Sequence, residues 1–364
     1  MKLPVCIVSL CFISSTVTAQ DTTGYYASFS GTIDKAAITM NLHKAGKDYS
    51  GYYYYDSAQQ PIYFSGHETE TDSGTNIIEV EGFPEAQPSE IFDFKITDSA
   101  ITGVWKNSQT GNPLNFTAKV KTTGNYDYFY TKGRQRLFSA LRDGPKAEFA
   151  ASSIWPKGNS ESDNYLKEIL LDEIKADSTD EVIAPVLVRH KKEFFAKYRE
   201  QFKTAEPEHV TDIEYQFSKD EMTDLLICWQ SSRVLSLAAH HYSYDGGAHG
   251  SSSKIYRNYD LQARKLVTID DIFLDGYDSV LTKLITQKVR TMYKLKENES
   301  LKKVEFFEDT LKPSDNFYFT TKGLGFSYLP NQAAPYTMGQ ITVFIPFKEI
   351  NKVLEQSFVA RLNR

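Results

Sequence analysis

The sequence predicts an α+β protein: an N-terminal, barrel-like domain of eight antiparallel strands, followed by an antiparallel sheet with helices packed on it. Three observations carry this. Residues 24–121 are short alternating polar and apolar runs separated by turn residues, as in strands with one buried face. Charged segments with apolar residues at helical spacing appear only after residue 160. Alternating runs then return after Pro207 and are interleaved with further helical stretches.

The chain has 364 residues and opens with what reads as a secretory signal. Met1 and Lys2 form a short positive start, Leu3 to Ile13 an apolar run, and Val17 and Ala19 the small-residue cleavage site before Gln20. The apolar run is too short to span a bilayer. A lipoprotein signal is the rival reading, but Cys6 and Cys11 lie within the apolar run and Leu10 is too bulky for a lipobox. Residues 1–19 are therefore set apart from the fold, and the protein is expected in the periplasm or outside the cell. Without them 345 residues remain, with one thiol, Cys228, and a formal charge of −7, since Lys2 leaves with the signal. No internal disulfide can form, so stability has to come from buried area. The acidic balance argues against nucleic acid and anionic membrane surfaces and suits a basic partner. No later stretch reaches 18 apolar residues, so no membrane span is expected.

The first domain, residues 20–122, contains eight strand signals: 25–33, 37–43, 49–55, 62–68, 76–81, 91–97, 100–106 and 114–121. Turn chemistry separates them, as in Ala45-Gly46-Lys47, Asp72-Ser73-Gly74, Thr97-Asp98-Ser99 and Thr110-Gly111-Asn112-Pro113. Closure into a barrel would remove exposed edges, and the interior would hold either side chains or one small apolar ligand. Residues 123–145 mix Gly, Asn, Arg and Asp with aromatics and read as a linker. The second domain is 146–364, with a possible division into 146–245 and 246–364. It begins with two helices over 160–204, interrupted at Pro185. Strand signals follow at 213–217, 225–229, 234–244, 254–260 and 265–269, then a helical stretch from Asp270 to Met292. Three more strands, 316–320, 325–329 and 340–346, precede a final helix over 347–362.

Two runs stand out. In Tyr242-Ser243-Tyr244-Asp245-Gly246-Gly247-Ala248-His249-Gly250, three glycines permit positive φ and close backbone approach. This is either a metal or acid/base site built from His240 or His241, Asp245 and His249, which would make an envelope hydrolase, or a rigid corner whose histidines bond locally. On a strand His240 and His241 face opposite sides, so at most one can join. The run Gly323 to Gly339 carries Tyr336 and Met338 on a Pro- and Gly-bounded loop, which either recognises a partner or folds back over the sheet. Nucleophile-elbow, zinc-protease, phosphate-loop and dinucleotide motifs are all missing. Cys228 reads as a buried, inert thiol, Glu168, Asp172 and Glu173 as a solvated helix face, and Tyr52 to Tyr55 as core or a sugar-stacking platform. No catalytic residue, metal or cofactor is assigned.

Taken in order, Tyr242 to Gly250, Tyr259-Asp260-Leu261, Thr268 to Phe273, Phe319 to Phe326, Ala334-Pro335-Tyr336 with Gly339, and Val343 to Phe347 resemble the C-terminal extracellular module of RsiV-type anti-sigma factors. The same module accompanies some peptidoglycan deacetylases, and the resemblance spans about residues 145–355. It implies an exported, non-catalytic binding protein of the cell envelope, with lysozyme or another basic envelope protein, or peptidoglycan fragments, as partners. Asn331 and Gln332 stand where that family tends to have an aromatic and an acidic residue. The candidate binding residues are Tyr244, Asp245, His249, Tyr328, Asn331, Pro335 and Tyr336.

Overall fold

The eight alternating runs form eight strands: β1 (Thr23–Ile33), β2 (Ala36–Ala45), β3 (Asp48–Tyr55), β4 (Ile62–Glu68), β5 (Asn76–Val80), β6 (Glu90–Ile96), β7 (Ala100–Asn107) and β8 (Pro113–Thr122). They were located in a computed structural model that describes residues 23–68, 76–80, 90–107, 111–122, 126–139, 141, 144–209 and 213–362. The leader and the Asp72-Ser73-Gly74 turn lie outside the described residues.

Each strand pairs antiparallel with the next, and β8 also pairs with β1 from Ile33↔Phe116 to Ser28↔Thr122. Gly31 permits that approach, because a Cβ there would lie 2.0 Å from the Thr117 carbonyl oxygen. The inward positions supply one aromatic core that includes Phe29, Tyr53, Phe92, Phe94 and Phe116. Phe92 meets Tyr53 and Phe116 edge to face, at centroid distances of 5.2 and 5.1 Å.

The expectation of a barrel-like domain followed by a linker at 123–145 needs correction. Thr23 and Gly24 of β1 pair with β9 (Tyr126–Arg136), which occupies most of the expected linker. The sheet therefore continues, and among the described residues fourteen strands share it in the order β14-β13-β12-β11-β10-β9-β1-β2-β3-β4-β5-β6-β7-β8. The signal for β9 is masked by Lys132, Gly133, Arg134 and Gln135 in its second half, whereas Tyr128 and Tyr130 in its first half are buried. β9 pairs along its whole length with β10 (Lys146–Pro156).

β10 runs parallel to β11 (Lys219–Gln230), a geometry that needs a long crossover. α1 (Glu161–Glu173) and α2 (Ile183–Gln201) supply it. Ser160 and Asp163 cap α1 reciprocally. Pro185 does not interrupt the helices. It lies in the first turn of α2, where its missing N–H removes no helical bond. Residues 213–217, expected as a strand, contain the short helix α3 (Glu214–Phe217). Three alternating apolar residues fit one helical turn equally well.

β12 (Val234–Tyr244), β13 (Ser251–Asp260) and β14 (Lys265–Val267) complete the sheet. The possible division at residue 245 falls inside the β12–β13 hairpin, whose ten residue pairs hold the two sides together. α4 (Tyr277–Met292) packs with a second, three-stranded sheet of β15 (Phe317–Phe319), β16 (Gly323–Tyr328) and β17 (Ile341–Pro346) around its own core. The expected terminal helix is two: α5 (Phe347–Ile350) and α6 (Gln356–Leu362). Among the described residues no helix is long and apolar enough to cross a membrane.

Candidate functional site

The two runs singled out in the sequence meet at the tip of the β12–β13 hairpin. Gly246 and Gly247 take φ of 82° and 114°, and a Cβ on Gly246 would sit 2.9 Å from the Gln216 carbonyl oxygen, so the loop lies tight against α3. The Tyr244 hydroxyl lies 3.1 Å from the Tyr215 carbonyl and 2.9 Å from that of Gly247. Asp245 pairs with Lys219 at 2.8 Å. His249 is exposed and stacks on Tyr336, with centroids 4.6 Å apart and planes 18° from parallel. The Tyr336 hydroxyl donates to the Gly250 carbonyl. His249 Nδ1 lies 3.1 Å from the same carbonyl and, since a carbonyl only accepts, carries the proton.

Two amides fasten the second sheet to β13 beside this stack. Gln340 accepts from Lys254 N (2.7 Å) and donates to Lys254 O (2.6 Å), while Asn316 accepts from Tyr256 N (2.7 Å) and donates to Lys254 O (3.1 Å). They take over backbone groups that a neighbouring strand would otherwise bond.

Of the candidate residues, His249 and Tyr336 come together, and Pro335 sets the extended entry to the turn that carries Tyr336. Tyr244 and Asp245 hold the hairpin against its neighbours. Tyr328 is only 3% exposed and donates to the Lys312 carbonyl at 2.6 Å, which makes it part of the second core. Asn331 is exposed with φ of 67°, a turn position.

The acid/base arrangement does not form. No hydrogen bond joins Asp245 to His249, since each is engaged elsewhere. His240 bonds Ser252 at 3.0 Å, and burial, with Lys254 nearby, pushes its pKa down to about 3. His241 bonds Thr223 at 3.2 Å and is lowered mainly by burial as well. Among the described residues no three His, Cys, Asp or Glu side chains are placed to hold a metal.

Other features prove structural. Cys228 is buried and its thiol pKa is raised by desolvation. Tyr52 and Tyr53 are core residues, Tyr52 donating to the Cys228 carbonyl and Tyr53 to Glu90. Glu173 is not on a solvated face: its side chain is 8% exposed and takes Arg257 and the Tyr259 hydroxyl (2.7 Å). In the Tyr259-Asp260-Leu261 motif, Asp260 is fully buried and receives Arg233 Nε at 2.9 and 2.8 Å and the backbone N–H of Ala263 at 2.9 Å. Thr268 and Asp271 form a reciprocal cap.

One polar cluster escaped the sequence reading. Asp224, buried between β10 and β12, accepts from the Tyr128 hydroxyl (2.7 Å), from Ser50 (3.1 Å) and from Ser152. Ser50 lies on β3, so the cluster ties the first eight strands to the rest of the sheet. A single acid beside the apolar run Leu225 to Trp229 was its signal.

Residues 270–348 match DUF3298, a protein family of unknown function. The peptidoglycan-N-acetylmuramic acid deacetylase PdaC of Bacillus subtilis (strain 168) is 26% identical over 227 residues, 59% of this chain. The match takes in 41% of the deacetylase, so the chain spans less than half the length of that relative. A DUF3298 family member from Bacteroides fragilis has a similar fold, with a TM-score of 0.57 and 22% identity over 63% of this chain and 93% of that one. A DUF3298 family protein from Pseudomonas aeruginosa PAO1 aligns over 63% and 94% of the two chains, at 15% identity and a TM-score of 0.44.

Proposed function

We propose that this is an exported, non-catalytic binding protein of the cell envelope that recognises its partner at the tip of the β12–β13 hairpin. The observation that carries the reading is the His249–Tyr336 stack, where loops from both sheets present aromatic surface of the kind that anchors interfaces. Tyr215, 47% exposed, is joined to the same hairpin through Tyr244 and enlarges that surface. The leader at residues 1–19 and the relation to a deacetylase of peptidoglycan support an envelope setting. The acidic charge and the resemblance to the RsiV-type module favour lysozyme as the first partner to test, with peptidoglycan fragments as the second. In this reading β1 to β8 carry no ligand, because aromatic side chains fill the interior an apolar ligand would need.

Interferometry of the chain from Gln20 onward against lysozyme and soluble peptidoglycan fragments, at low and physiological salt, tests this. Micromolar or tighter binding is expected with one of them. His249→Ala and Tyr336→Ala should each weaken it by about tenfold or more while leaving the melting temperature nearly unchanged. Absence of binding to every probe, or variants that bind like the parent, would overturn the reading.

A further inference from the structure

A second ionisable group lies beside the Asp224 cluster and plays no part in the proposed recognition surface. His43 of β2 is fully buried, and neither ring nitrogen has a hydrogen-bond partner of good geometry. Its ring lies between Tyr26 of β1, at 4.8 Å, and Tyr128 of β9, at 5.0 Å. The groups next to it are these two tyrosines and its cross-strand partner Ser50 on β3, whose backbone lies against the ring, while Ser152 on β10 and Asp224 on β11 are reached through the Tyr128 hydroxyl. Tyr126 closes over the edge of Tyr26, and the Tyr26 hydroxyl is spent on Asn41 at 3.2 Å. Of the ion pairs near this seam, Lys44 with Glu68 flanks His43 in sequence and Lys132 with Asp48 bridges the two regions at the surface.

We propose that His43 is an acid-sensitive latch: the ring takes up a proton only when β1 to β4 part from β9 to β11, so mild acid opens this seam before the molecule unfolds. A charged imidazole in the closed seam would be a buried ion with no acid bonded to its ring, which Tyr26 and Tyr128 enclose while Asp224 bonds the Tyr128, Ser50 and Ser152 hydroxyls instead. Burial accordingly holds the closed-state pKa of His43 at about 3, whereas an opened seam restores the ordinary value near 6.5. The open form thus binds one more proton than the closed form between these limits, and opening becomes easier as pH falls through that window. Asp224 acts with the opposite sign, since burial raises its pKa and a proton on it favours the closed form. His240 and His241 share the sign of His43 but lie on β12, so the readout has to be local to the seam.

Amide hydrogen exchange of the full chain at pH 7 and pH 5, corrected for intrinsic rates, provides that readout. His43 alone, linked at tenfold per pH unit below 6.5, raises the opening constant of amides in β3 and β11 by up to about thirtyfold at pH 5, from which the opposite linkage of Asp224 subtracts. In His43→Phe the rise should fall below about threefold. An equal rise in both proteins, or none in the parent, overturns the latch. Should His43→Phe fail to fold, an NMR titration of the His43 ring in the parent decides the matter: protonation is expected only together with loss of seam protection, and a ring that titrates near its ordinary value in a closed seam would refute the proposal.

Discussion

The first eight strands and the region that follows them bury their side chains in different ways. β1 to β8 each pair with the next strand in sequence, with β8 returning to β1, around one aromatic core, so most of their strand pairings join neighbours in the chain. The later region relies on distant partners: a parallel pair across two helices, a second sheet docked on β13 through side-chain amides, and the Arg233–Asp260 fork. Its polar groups are structural because such long connections leave backbone and charge to be satisfied by side chains. The first region, by contrast, is held mostly by packing.

Three substitutions probe this contrast, from the largest expected effect to the smallest. Phe92→Ala should cost about 4 kcal/mol, because it opens a cavity between Tyr53 and Phe116. Urea unfolding followed by tyrosine fluorescence should show one transition at lower denaturant, since β1 pairs with β9 in one sheet. Two separated transitions would mean the regions are independent and would break the picture of a continuous sheet. Asp260→Ala should cost about 3 kcal/mol in the same assay, by leaving Arg233 and two backbone N–H groups without their acceptor. A loss below about 1 kcal/mol would show that the later region does not depend on this fork. Ser50→Ala should cost about 1 to 2 kcal/mol, because buried Asp224 loses one donor of three. The loss should appear first as faster amide exchange at the seam.

The same contrast explains what could be read from the sequence. All eight early strands were legible within about two residues, because alternation and turn residues are local signals. β12 was legible end to end for the same reason. β9 and β10 were not: Lys132, Gly133 and Arg134 break the alternation, and only pairing with β10 makes that stretch a strand. The region's candidate site was legible in part. The glycines and Tyr336 marked two loops, but nothing local joined His249 to a residue 87 positions away in the chain. Tyr328, expected on a strand and as a binding residue, is instead core, because its burial depends on the second sheet. His43 was missed because its tyrosine neighbours come from two other strands.

The amides at β13 bear on how copies of the molecule behave toward one another. An open strand edge is a template on which another chain can add itself, and β14 covers only Asn258 to Asp260. Further along, Gln340 and Asn316 occupy the donors and acceptors that an incoming strand would use. They fill the edge without prolonging it, since a side-chain amide offers no further backbone to the next molecule. The docking of the second sheet therefore also leaves another copy no free backbone to pair with at Lys254 and Tyr256.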